Sequence, residues 1–274
     1  MAKRTPEGPP PPPAVQKLRL RYTKRGRLRF TSHRDIARAF ERALRRAQVP
    51  MAYSAGFSPH PKISWVGAAP TGVASEAEYV EISVAVRVEL EALRAALDGS
   101  LPDGIDVVEV VEAVPGSSLP DLVQASQWQV RLPGVAAGDA AAAVAAFLAA
   151  PEVLVQRLVK DGMRTLDARA AVVSLCAVPT DGDERCATLD LVVRHLTPAV
   201  RPDDVLSGLR LVTELEMPVP PAATRVRQGP LTESGGVGDP LAPDRTSALG
   251  ETRQAAATDR AAAGAEAPRA ATHT

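Results

Sequence analysis

The chain is poor in aromatic residues: four Phe, three Tyr and two Trp in 274 residues. It has two cysteines, Cys176 and Cys186, and four histidines. Two thiols ten residues apart cannot hold an iron–sulfur cluster, which needs several, and they read as small buried residues. No zinc-ligand spacing, nucleotide-binding glycine loop or Ser-His-Asp pattern is present, so the sequence predicts neither metal nor cofactor. No apolar run approaches the ~20 residues of a membrane span. Without a signal-peptide pattern, and with so few thiols, the expected location is a reducing cytoplasm, with no membrane partner. Bulky apolar residues are also missing from both ends. Residues 1–16 contain the run TPEGPPPPP, and 228–274 are rich in Gly, Ala, Thr and Asp. Both are predicted to be disordered tails, because neither buries enough surface to offset the entropy of ordering.

The net charge is zero, but the charges are segregated. Between Lys17 and Arg46 stand twelve Lys or Arg against Asp35 and Glu41, which leaves the rest of the chain acidic. A basic block of this kind suits an anionic partner. KLRLRY (17–22) and RLRF (27–30) alternate apolar residues with arginine or lysine around TKRG, which predicts a hairpin or bent strand with an outward arginine face. SHRD (32–35) opens a helix with Ser32 and Asp35 as a capping box. Ile36, Phe40, Ala43 and Leu44 form its apolar side; Arg34, Arg38, Arg42 and Arg45 line the other.

Three of the scarce aromatics sit in YSAGFSPHPKISW (53–65), a stretch that proline and glycine keep out of a helix. Pro59 and Pro61 restrict His60 and Lys62, so the loop is predicted to hold one shape. Tyr53, His60 and Lys62 offer a stacking surface and a cation for an unstacked base and its phosphate. Phe57 and Trp65 read as anchors of the loop. Farther on, Asp167 and Arg169 read as solvated residues at a strand start, and His195 as structural.

The remaining pattern predicts strands at 78–86, 105–114, 126–132, 152–159, 169–178, 187–196 and 224–227, with helices at 91–97, 137–149 and 202–211. The fold class is α+β. Two tandem ferredoxin-like (β-α-β-β-α-β) modules are expected, an N-terminal domain at 17–116 and a C-terminal domain at 120–227.

The continuous stretch 21–82, with FTSHRD, YSAGFSPHPKIS and TGVASEAEY in order, resembles the radical-SAM-linked family, a bacterial domain of unknown function encoded beside or fused to a radical SAM protein. RTLDARAAVVSL (164–175) and VRPDDVLSGL (200–209) extend the likeness more loosely. The resemblance implies an accessory or adaptor protein whose partner is a radical SAM protein. This chain lacks the CxxxCxxC cysteines for radical chemistry, so it is read as not an enzyme. The expected substrate presented to that partner is RNA, bound by Arg27, Arg29, Arg34, Arg38, Arg42, Arg45, Tyr53, His60 and Lys62. Two alternatives remain open. One is a protein-binding scaffold without nucleic acid. The other is a metal-independent endoribonuclease, suggested by an architectural likeness to CRISPR-repeat-processing enzymes. There His33 would be the general acid/base, completed by Tyr22, Lys62 or His60.

Overall fold

A computed structural model describes residues 11–160, 162–180 and 183–247. The fold is mixed α+β, built on one large sheet. Its first half contains β1 (Gln16–Lys24), a 3-10 helix (Gly26–Phe30), α1 (His33–Arg46), β2 (Ile63–Val66), β3 (Ala74–Val84), α2 (Leu90–Asp98) and β4 (Val107–Glu112). After α3 (Leu119–Leu122), the second half contains β5 (Ala125–Pro133), α4 (Ala137–Ala149), β6 (Leu154–Val159), β7 (Gly162–Asp167), α5 (Ala168–Ala171), β8 (Val172–Thr180), β9 (Asp183–Arg194), α6 (Pro202–Thr213) and β10 (Ala222–Gly229). The strand order is β4-β1-β3-β10-β5-β9-β8, with β2 also paired to β3, while β6 and β7 form a separate ribbon. The two halves therefore share a sheet. Strand β10 joins them, pairing parallel to β3 at Thr224–Arg225 and antiparallel to β5.

Alternation in β1 places Leu18, Leu20 and Tyr22 in a core with Ile36, Phe40, Ala43 and Leu44 of α1 and Leu93 and Leu97 of α2. A second core gathers Val130, Leu132, Phe147, Leu189, Leu191, Val205 and Leu209 around α4 and α6. Ser32 caps α1 by accepting from the Asp35 N–H at 3.2 Å. The Asp35 carboxylate accepts the Ser32 hydroxyl at 2.7 Å, so the two side chains bond each other rather than closing the reciprocal box onto the Ser32 backbone.

Four further expectations about the elements and the core fail. RLRF is not a strand but part of the 3-10 helix, because both edges of β1 are already taken by β3 and β4. Strand β2, in the stretch read as a loop, and the ribbon strand β7 are additional to the predicted strands. Cys186 is buried but Cys176 is exposed. The fourth failure concerns the sheet's second face, which does not present an arginine surface. Arg19 is 0% exposed, covered by a segment predicted to be disordered. Residues 230–247 fold back over this face. Leu241 fills a cluster with Ala77, Tyr79, Val111 and Leu119, and the Asp244 carboxylate accepts both of its Arg19 bonds at 3.0 Å. The Gly238 carbonyl lies where a side chain on Gly229 would stand, 2.2 Å from an added Cβ, so glycine there permits the crossing. The remainder of that tail, 248–274, and residues 1–10 lie outside the described residues. Among the described residues, no helix is long and apolar enough to cross a membrane.

Candidate nucleic-acid interface

Helix α1 carries the exposed charges. Arg34, Arg38, Arg42 and Arg45 fall at intervals of four, four and three residues, within one stripe of a 3.6-residue helix, and all four are exposed. Arg38 meets Asp35 only at 3.5 Å and Arg45 meets Glu41 at 3.6 Å. Such exposed pairs contribute little. Among the described residues, Arg34 and Arg42 make no ion pair. Arg46, by contrast, is tied back by a 3.1 Å bond to the Ser100 carbonyl. In the preceding 3-10 helix Arg27 is exposed, and Arg29 is half-buried with its guanidinium 4.6 Å from the centre of the Phe30 ring.

The 53–65 segment is a tight excursion off β3. Ser54 N–H donates to the His60 carbonyl at 2.9 Å, and Lys62 N–H to the Ala52 carbonyl at 2.8 Å. His60 N–H donates to Ser54 Oγ at 3.2 Å, while that hydroxyl also bonds His60 Nδ1 at 2.9 Å. Tyr53 pairs with Pro61 across the hairpin. The stiffness anticipated from the prolines thus arises from cross-loop bonds as well. Trp65 belongs to β2 and anchors it, edge-on to Phe40 and His33 at 5.2 Å and to Tyr22 at 6.0 Å. Phe57 is not an anchor: it is 69% exposed at the tip, where no core lies within its reach.

The proposed binding residues are brought together only in part. Arg45 and Tyr53 share a cleft of about 250 Å³ between α1 and the loop, with Glu41, Leu44, Pro59 and Pro61. His60 and Lys62 line a different cleft, of about 270 Å³, beside Ser83 and Glu81. His33 sits exposed in the first turn of α1. Tyr22 cannot assist it as an acid or base, being buried, with burial and then Glu78 pushing its phenol well above the ordinary range. Asp167 is not a solvated residue. Its Oδ1 caps α5 by accepting from the N–H groups of Arg169 and Ala170 and also takes that of Val153.

Sequence reasoning missed the polar seam where the halves meet. Arg225, 3% exposed, bonds Glu78, 2% exposed, and lies 5.4 Å from the Trp128 ring centre. Lys24 is buried nearby and donates to the Pro70 carbonyl at 3.0 Å. The adjoining cleft of about 340 Å³ is lined by Gly67, Trp128, His195, Arg201 and Arg225 among others. A short strand is predicted at 224–227, but the carboxylate that pairs with Arg225, Glu78, lies 147 positions away.

His195 is structural, as expected: Nδ1 donates to the Val123 carbonyl at 3.0 Å, and Nε2 accepts from Ser126 Oγ at 2.8 Å. Burial lowers its pKa from 6.5, against a smaller opposing effect of the Val123 carbonyl and with Arg225 adding to the decrease. The unfolded chain thus binds this proton more readily than the folded one. Its contribution is complete above pH 6.5 and is lost as pH falls below that value. Between pH 7.5 and 5.5 the wild type should therefore lose more stability than His195→Gln, as read from denaturant midpoints. Equal losses would show that the ring titrates freely.

Residues 17–202 match the family described as "Uncharacterized protein conserved in bacteria (DUF2344)". No curated protein matches the chain.

Proposed function

Because the chain belongs to the DUF2344 family of uncharacterized proteins conserved in bacteria, we propose from its own surface that it is a non-catalytic accessory protein that holds RNA. The observation that carries this reading is the exposed arginine stripe of α1 adjoining the cleft shared by Arg45 and Tyr53. Guanidinium groups free of strong ion pairs are available to phosphates, and exposed aromatic faces beside them suit unstacked bases. Arg27, Arg34, Arg38, Arg42 and Arg45 contact phosphates. Tyr53 stacks, with the exposed Phe57 ring added to the set. His60 and Lys62 extend the contact around the loop. Arg29, with Phe30 under its guanidinium, borders the same segment of chain.

Each half reads as a ferredoxin-like β-α-β-β-α-β unit. Supporting this, β4-β1-β3 with β2 beyond, and β10-β5-β9-β8, follow the same pattern of chain order if the β6–β7 ribbon and α5 are an insertion. A radical SAM enzyme is the recipient of the bound RNA, a reading supported by the resemblance of residues 21–82 to radical-SAM-linked proteins.

Binding of bulk cellular RNA across a salt series tests the proposal. Affinity should fall steeply with salt, and Arg34→Glu/Arg38→Glu should weaken binding at low salt by about tenfold or more. Both substitutions lie on an exposed face, so a folded variant is expected. If RNA fails to bind even at low salt, the basic face belongs to a protein partner instead.

A further inference from the structure

On the sheet's second face, beneath the returning segment 230–247, is a cleft of about 310 Å³ lined by Arg21, Tyr79, Arg227, Gln228, Val237 and Asp239 among others. Its charge is unbalanced. Glu109 stands opposite Arg21 in the β1–β4 register, yet both of its oxygens accept from Arg245. Asp239 is engaged as well: Oδ2 accepts from Arg245 at 2.5 Å and Oδ1 from the Leu241 N–H at 2.9 Å. Arg245 thus holds the two nearest carboxylates. Among the described residues, Arg21 and Arg227 have no ion pair, and the Nε of Arg21 is buried without an acceptor. Gln228, 0% exposed, donates from Nε2 to the Ala77 carbonyl at 2.6 Å, but its Oε1 has no partner.

A buried charged donor without an acceptor costs more than a neutral one, and two guanidinium groups without counter-ions at one cleft call for an oxyanion. We propose that this cleft binds a small phosphate-bearing molecule. Arg21 and Arg227 take the phosphate oxygens and the Tyr79 hydroxyl supplies a further donor, while Gln228 Oε1, buried and packed toward Gly67, takes no part. Burial, followed by the charge of Asp239, raises the Tyr79 pKa, so the phenol keeps its proton and can donate at neutral pH. The volume lies at the small end of ligand pockets, which favours a compact monoester over a nucleic acid. The site is on the face opposite α1 and stands apart from the RNA reading.

The test titrates inorganic phosphate and glycerol 2-phosphate, with acetate at matched ionic strength, while calorimetry and melting temperature are followed. Wild type should bind both phosphates saturably and melt at a higher temperature. Arg227→Gln, an exposed position without a partner, should weaken binding at least tenfold, whereas Arg164→Gln, an exposed change on β7 outside both proposed sites, should bind as wild type does. Absence of saturable phosphate binding, unchanged affinity in Arg227→Gln, or equal binding of acetate would each overturn the assignment.

Discussion

Replacing Asp244 with alanine is expected to destabilise the fold by about 3 kcal/mol or more, the usual cost of leaving a buried charge without its partner. All the donors of Arg19 are committed. Nε bonds Glu81 at 3.1 Å, Nη1 bonds both Asp244 oxygens, and Nη2 bonds the Ser117 carbonyl and hydroxyl at 3.0 and 2.9 Å. Glu81 cannot substitute for Asp244, since it also serves Lys17 at 2.8 Å. Asp244 additionally accepts the Val114 N–H at 2.9 Å, so its loss leaves two unpaired donors. The urea midpoint of Asp244→Ala at neutral pH measures the effect. Replacing both partners, as Arg19→Met/Asp244→Leu, removes the charge together with its main counter-charge and should recover part of the loss, the remainder being the Val114 N–H left unpaired and Glu81 left to Lys17 alone. A loss under about 1 kcal/mol in the single variant would mean that residues 230–247 do not seal this face in solution.

That segment also shows where the sequence could and could not be read. Helix α1 was legible because its apolar positions follow the helical period and Ser32 marks its start. The alternation of β1 was legible as well, but the meaning of its charged face was not. Alternation says that Arg19 and Leu20 point to opposite sides; it does not say what covers either side. The covering segment has few apolar residues, and over Arg19 its decisive contacts are one leucine, Leu241, and one carboxylate, Asp244. Composition reads such a stretch as disordered because it averages over residues, whereas packing depends on a few of them meeting distant partners. RLRF failed for a related reason. Its pattern suits a strand, but the pairing edges beside it were occupied by residues from 74–84 and 107–112.

The binding surface was legible where it is local and obscure where it is not. The arginine stripe follows directly from helical spacing. The loop's rigidity could be anticipated from Pro59 and Pro61, but its division between two clefts, Tyr53 toward α1 and His60 with Lys62 toward β3, depends on the hairpin that Ser54 and His60 close. Trp65 was correctly read as an anchor. Phe57, eight residues earlier, was not, because hydrophobicity alone does not distinguish a ring that packs from one left at a turn tip.

The seam between the halves supplies the second large effect. Glu78→Gln preserves shape and removes charge, leaving Lys24 and Arg225 buried without the carboxylate between them; a loss of about 3 kcal/mol is expected at neutral pH. The loss should also depend on pH. In the wild type, burial already lowers the Lys24 pKa, Glu78 partly opposes that, and Arg225 adds to it. Without Glu78, the folded-state pKa of Lys24 falls further below its unfolded value, so the unfolded chain holds that proton over a wider range. Stability then rises with pH from the point where the folded lysine begins to lose its proton until the unfolded lysine is neutral as well. Tyr22, whose phenol is held well above the ordinary range chiefly by its burial, keeps its proton over the same interval. Between pH 7.5 and 9.5, Glu78→Gln should therefore gain more stability than the wild type, with the excess abolished in Lys24→Met/Glu78→Gln. Parallel profiles for wild type and the single variant would place the cost on Arg225 alone, and would show that the lysine finds a sufficient partner in the Pro70 carbonyl.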